Sequence, residues 1–140
     1  MIEIKNISKK FGKLEVLKNV SVSCNSGQCI ALIGPNGCGK TTLIKSILGM
    51  VIPDSGSMEF NEKSIFGDYL YREKIGYMPQ IGRYPDTMTI GEIIEMVKKI
   101  RNSKDNLDED LFRDFEIEKM LNKQMRTLSG GTTQKISAVL

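Results

Sequence analysis

Gly34-Pro35-Asn36-Gly37-Cys38-Gly39-Lys40-Thr41 fits the pattern G-x-x-x-x-G-K-[ST] at every fixed position, and no other stretch narrows so far what this chain can fold into. Glycines let a backbone curl until successive N–H groups converge on one anion. A helix that starts at the end of the curl adds the positive end of its dipole. Lys40 has the reach to place a point charge on β- and γ-phosphates, and Thr41 carries a hydroxyl suited to Mg²⁺. The motif also demands a context, with a buried strand before the loop and a helix after it.

Both flanks read that way. Cys29-Ile30-Ala31-Leu32-Ile33 is a short apolar run between Gly27 and Gly34, the pattern of a strand buried on both faces of a parallel sheet. After the loop the period changes. Leu43 pairs with Ile47 and Ile44 with Leu48 at a spacing of four, so residues 40–48 are expected to be helical, with Gly49 as the stop.

The remaining elements follow from period and turn chemistry. Ile2, Ile4 and Ile7 nearly alternate with polar residues and predict a half-buried strand. Phe11-Gly12-Lys13 reads as a turn, Val16-Leu17 and Val20-Ser21-Val22 as further strand, and Asn25-Ser26-Gly27 as a second turn. Pro53-Asp54-Ser55-Gly56 is a turn before a short strand at Met58-Glu59-Phe60, and Ile75-Gly76-Tyr77-Met78 is another predicted strand. Residues 79–86, with two prolines and Gly82, are expected to be loop. Thr89 followed by Glu92 has capping-box spacing and starts a helix expected to end near Arg101. Residues 102–106 form a polar break. Short helices are expected over residues 107–115 and 117–121, and a last one after Ser129.

One phosphate loop is shared by GTPases, nucleotide kinases and helicase-like ATPases. A second motif separates them. In Leu128-Ser129-Gly130-Gly131-Thr132, Ser129 can cap a helix while Gly130 and Gly131 leave backbone N–H groups open, which makes a second anion site. Leu-Ser-Gly-Gly followed by Gln134-Lys135 resembles the signature of ATP-binding cassette proteins. The phosphate loop through Thr42, with Pro35-Asn36 after its first glycine, is similar to that family's version. The resemblance runs along the whole chain in the family's order.

The resemblance implies an α/β fold of the P-loop NTPase type: antiparallel β, a partial parallel core sheet, and a helical subdomain. It places the nucleotide-binding core at about residues 1–85 and the helical subdomain with the signature loop at about 86–135. It implies ATP and Mg²⁺ as ligands, held by Gly34, Pro35, Asn36, Gly37, Cys38, Gly39, Lys40, Thr41 and Thr42. Phe11 stands where the family stacks an aromatic on adenine, and Val16 matches the apolar side of that pocket. By residue type alone, the core reading is favoured for each. Gln80 matches the glutamine that contacts Mg²⁺ and the attacking water, so Lys40 and Gln80 are the catalytic candidates and Thr41 and Gln80 the metal ligands. Ser129, Gly130, Gly131, Thr132 and Gln134 would face the nucleotide of a second subunit in a head-to-tail pair. Thr132 departs from the family's usual Gln.

The family then has an apolar strand ending in Asp-Glu, and later a switch histidine. This sequence reaches Leu140 within the signature helix and its histidine count is 0, so we expect a truncated ATPase domain that does not hydrolyse ATP by itself. Bulk properties narrow the setting. Net charge is +3, and the one basic cluster, Lys98, Lys99 and Arg101, lies on a predicted helix, so no nucleic-acid partner is expected. Three cysteines without CxxC spacing or histidine partners point to reduced thiols in the cytosol. No apolar run spans a bilayer, so the expected partners are separate transmembrane subunits, with this chain cytoplasmic and peripheral at the inner face of the membrane. The loop from Tyr77 to Asp86 is similar to that of small export or maturation systems, the ATPase of the nitrous-oxide reductase copper-maturation transporter among them. The alternative is a soluble cassette protein acting on ribosomes. DNA-repair cassette ATPases insert long coiled coils between the two motifs, and this chain has none.

Overall fold

A computed structural model of the chain describes residues 1–101 and 109–140. They divide into two compact units, Met1–Ile75 and Gly76–Leu140. In the first unit, β1 (Ile2–Phe11), β2 (Leu14–Cys24), β3 (Ser55–Phe60) and β4 (Lys63–Ser64) form an antiparallel sheet in the order β2-β1-β3-β4. Ile4 lies opposite Val22 on one side and Met58 on the other. Strict alternation would send Ile4 and Ile7 to opposite faces. Asn6 prevents this: it adopts φ 53° at a break in register, so both isoleucines face the core. Asn19 on β2 does the same at φ 49°. Serines replace the lost ladder bonds, since Asn6 N donates to Ser21 Oγ at 2.8 Å and Asn19 N to Ser8 Oγ at 3.0 Å.

One helix, α1 (Lys40–Ile47), buries Leu43 with Ile4, Ile7, Leu17, Met58, Ile65 and Tyr71. Gly49 ends it at φ 67°, as the spacing required. A 3₁₀ turn, Leu70–Lys74, brings Tyr71 back so that its hydroxyl donates to Ile47 O at 2.9 Å.

The second unit is helical. It comprises α2 (Ile90–Arg101), α3 (Asp110–Asp114), 3₁₀ turns at Ile117–Met120 and Met125–Thr127, and α4 (Gly130–Val139). Ile90, Ile93, Ile117, Met125 and Ile136 form its core. The expected capping box is present: Thr89 N donates to Glu92 Oε2 at 2.7 Å, and Glu92 N to Thr89 Oγ1 at 3.3 Å.

Two expected strands do not form. Residues 29–33 and 75–78 carry no ladder among the described residues, and the partial parallel sheet expected from them is absent there. Ile33 is 90% exposed. An apolar run becomes a strand only when a neighbour supplies the other half of each hydrogen bond, and neither run pairs with a described segment. The helix expected over 117–121 is a 3₁₀ turn, because four residues are too few to close an α-helical ladder. Of the helix expected over 107–115, the described part is α3. Residues 107 and 108 and the polar break at 102–106 lie outside the described residues.

Candidate nucleotide-binding site

In the first unit the loop from Gly34 curls through left-handed backbone at Gly37 (φ 83°) and Gly39 (φ 97°), which only glycine adopts without strain. Cys38 N donates to Pro35 O at 3.4 Å, closing the turn, and Leu43 N to Gly39 O at 2.9 Å is the first helical bond after it. Gly39 is also sterically required. A Cβ there would lie 2.7 Å from Val16 O and 3.2 Å from Val16 Cγ1. Val16 therefore props the last glycine of the loop from β2.

This helix start is built for an anion. No side chain caps α1, and its first turn holds no acidic residue, so its leading N–H groups are left to an external acceptor. The sequence has no Asp or Glu between Glu15 and Asp54. Lys40 folds back over the curl, donating from Nζ to Gly34 O and to Pro35 O, each at 2.7 Å. Its ammonium also lies 3.8 Å from Cys38 Sγ. Two neutral carbonyls leave that charge uncompensated, so the loop presents a cation and open N–H donors together. A triphosphate fits this donor set. A divalent ion fits less directly. Among the described residues no group of three or more acidic, cysteine or histidine side chains could hold a metal, so Mg²⁺ would depend on the nucleotide's own oxygens, with Thr41 as protein ligand.

Phe11 closes β1, half-exposed at 51%, which excludes the core reading of this residue. Lys9 Nζ stands over its ring, 5.6 Å from the centroid. The same ammonium donates to Asp54 Oδ1 at 2.7 Å, and Lys10 N donates to Asp54 Oδ2 at 2.7 Å. The bond from Lys9, then that from Lys10, hold the Asp54 carboxyl below the usual carboxylate range. Sequence reading missed this bracket, since nothing in the sequence announces a contact between residues 45 positions apart.

In the second unit Gln80 is exposed in the loop before α2. Ser129 begins α4 and its Oγ accepts from Thr132 N at 3.2 Å, as expected of a cap. Its hydroxyl also lies 2.9 Å from Thr132 Oγ1, so the residue that departs from the family pattern occupies the cap's second side. Gly130, Gly131 and Gln134 are exposed. A Cβ on either glycine would meet nothing within 4 Å, and neither has positive φ. No packing within the unit requires glycine there.

A family model described as ABC transporter matches residues 17–139. The sulfate/thiosulfate import ATP-binding protein of Pectobacterium atrosepticum is 33% identical over 144 aligned positions, covering 97% of this chain and 44% of that protein. Its counterpart in Pseudomonas syringae pv. tomato is 29% identical, with the same coverage. The chain therefore spans less than half the length of these relatives. Among solved structures, an ATP-binding subunit of an ABC transporter gives a TM-score of 0.84 at 28% identity, over 99% of this chain and 60% of that one. The fold also matches a dimeric ATP-binding cassette in a post-hydrolysis state with ADP and phosphate, at a TM-score of 0.78 and 22% identity over 99% of this chain and 68% of that one.

Proposed function

This chain belongs to the ABC transporter family, and on that premise we propose that it is the ATP-holding part of a transport ATPase that works through separate membrane subunits. One observation carries the reading. The first turn of α1 is uncapped, free of acidic residues and overlooked by the Lys40 ammonium. That is a site for a polyanion with no counter-charge of its own.

The residues divide the work. Gly34, Pro35, Asn36, Gly37, Cys38 and Gly39 wrap the phosphates with backbone N–H groups. Lys40 leaves its two carbonyls and takes the β- and γ-phosphates. Thr41 offers its hydroxyl to Mg²⁺, which when bound offsets phosphate charge, and Thr42 continues the helix start. Phe11 and Val16 serve the base. Gln80 is carried by the family likeness alone, as a ligand to Mg²⁺ and the attacking water.

Ser129, Gly130, Gly131, Thr132 and Gln134 serve a second copy. The two glycines meet no intramolecular demand for their small size, which favours close approach by something outside the chain. A head-to-tail pair places that face on the partner's γ-phosphate. The unit division fits a nucleotide-binding core followed by a helical subdomain. Among the described residues no helix is long and apolar enough to cross a membrane, so the reading assigns the membrane path to other subunits, with this chain peripheral at the inner face. The likeness of the loop from Tyr77 to Asp86 to copper-maturation ATPases is a proposal resting on that loop.

We further propose that these 140 residues bind ATP without turning it over. The chain has no histidine, and Gln80 is an amide that accepts no proton at neutral pH. Calorimetric titration with MgATP and a phosphate-release assay test both parts. Saturable binding without phosphate release is expected. Absence of binding overturns the site, and phosphate release that Lys40→Ala abolishes overturns the inactivity.

A further inference from the structure

We propose that Asp54 and Lys9 are positioning residues for the base-stacking ring of Phe11, which rests on the reading of Phe11 as the nucleotide-base platform. The problem they solve is local. Phe11 is the last residue of β1, paired with Leu14 of β2 on one edge, but on the other edge it lies beyond the last pair of the β1–β3 ladder, Ser8 opposite Ser55. Immediately after it Gly12 turns at φ 58°. The Phe11 backbone is held by the pair with Leu14, but its half-exposed ring is left to its side-chain torsions, and ordering it on binding costs affinity.

Asp54 removes that freedom with one carboxylate. Its own N–H donates to Ser8 O at 2.9 Å, which docks the residue beside the strand. Oδ2 then accepts from Lys10 N at 2.7 Å, taking the place a carbonyl of β3 would hold had the ladder continued. Oδ1 takes the Lys9 ammonium at 2.7 Å. That ammonium stands over the Phe11 ring. The carboxylate therefore fixes the backbone on one side of Phe11 and the cation on the other. The Lys9 side chain is only 17% exposed although its partner Asp54 is 48% exposed, so the ammonium is held at the ring side and not extended into water.

A ring has two faces. With a cation on one, the other remains for a purine, and stacking needs only that π-face. The geometry accordingly separates two contributions to nucleotide affinity: phosphates at Lys40, base at the Asp54–Lys9–Phe11 bracket.

The test uses the 140-residue chain and two probes, ATP and inorganic tripolyphosphate, each with Mg²⁺, titrated by calorimetry. Phe11→Ala is expected to weaken ATP about tenfold, the scale of one base–aromatic stack, and to leave tripolyphosphate unchanged. Lys9→Met and Asp54→Asn are expected to weaken ATP about threefold, again without effect on tripolyphosphate. Lys9→Arg, which keeps both the ion pair and the cation over the ring, is expected to retain wild-type affinity for both probes. If Phe11→Ala changes both probes equally or neither, the base-platform reading fails and the proposal with it. If Phe11→Ala is selective for ATP but Lys9→Met and Asp54→Asn are not, the platform stands and the positioning role is overturned. Equal loss of both probes in Lys9→Met or Asp54→Asn assigns the bracket to fold stability and overturns the proposal as well.

Discussion

The N-termini of α1 and α4 solve the same problem in opposite ways. Each leaves backbone N–H groups unpaired by the helix. At α4, Ser129 answers with its own hydroxyl, which takes Thr132 N at 3.2 Å. At α1, Gly39 has no side chain with which to answer, and the nearest charge is a cation. The capped end answers one of its donors from within the chain and so contributes to the fold. The open end answers none of its donors with a side chain, and an anion would complete it. For the nucleotide held by the chain itself, stability and binding are therefore divided between the two helix starts, and substitutions can show whether the division is real.

The largest expected effect is at the open end. Lys40→Ala should weaken ATP binding roughly a hundredfold, the scale of two charge-assisted hydrogen bonds, with little change in the urea midpoint. Calorimetry and urea unfolding on the same variant check both halves; a large fall in the midpoint would show that Lys40 acts structurally through Gly34 O and Pro35 O. Next is Gly39→Ala, which forces a Cβ into φ 97° and to 2.7 Å from Val16 O. It should destabilise the first unit by about 2–3 kcal/mol, and urea unfolding again reads it. A stable Gly39→Ala chain would mean that the curl relaxes and the open end is not geometrically fixed.

At the capped end, Ser129→Ala should cost about 1 kcal/mol of stability and leave the chain's own ATP affinity within about twofold. Loss of ATP affinity in a verified monomer would collapse the distinction between the two helix starts. The smallest effect is at α2, where the cap carries charge. The bonds from Thr89 N and then Thr89 Oγ1 lower the Glu92 pKa. A carboxyl lowered in the folded state contributes stability that is present above its unfolded pKa and lost as pH falls through the folded value. Thermal midpoints should therefore drop as pH goes below about 4, and Glu92→Gln, which keeps the box without the charge, should flatten that drop slightly. Glu92 is exposed, but its partners are the neutral N–H and hydroxyl of Thr89, so raising salt should change the effect little. An unchanged acid limb in Glu92→Gln would assign it elsewhere, with Asp54, also lowered, the first alternative.

What the sequence made legible follows the same division between local and distant causes. α1, α2 and α4 were readable because their starts are written within three residues: Gly39 before Lys40, Thr89 before Glu92, Ser129 before Thr132. The phosphate loop was readable for the same reason. The Asn6 irregularity was half visible, since the step from Ile4 to Ile7 breaks alternation, but its serine partners lie on the neighbouring strand. Residues 29–33 misled because their composition fits a strand, while a strand also needs a neighbour to pair with, which composition does not show. The Asp54–Lys9–Phe11 bracket was invisible, since Asp54 reads simply as a turn residue after Pro53.

The pairing of Ser129 with Thr132 has a consequence in the direction of its protons. Each hydroxyl has one hydrogen to give and lone pairs to receive. Across the 2.9 Å between them, one hydrogen is donated and the other is free. If Ser129 donates to Thr132, it turns its lone pairs outward and has nothing for an anion. If Thr132 donates to Ser129, the Ser129 hydrogen is released to point away from the helix. Only in the second order would an anion meet a donor at Ser129, with the Thr132 hydroxyl polarising that O–H. Thr132 thus gives this helix start two hydrogen-bond orders, only one of which leaves a hydroxyl hydrogen free at Ser129.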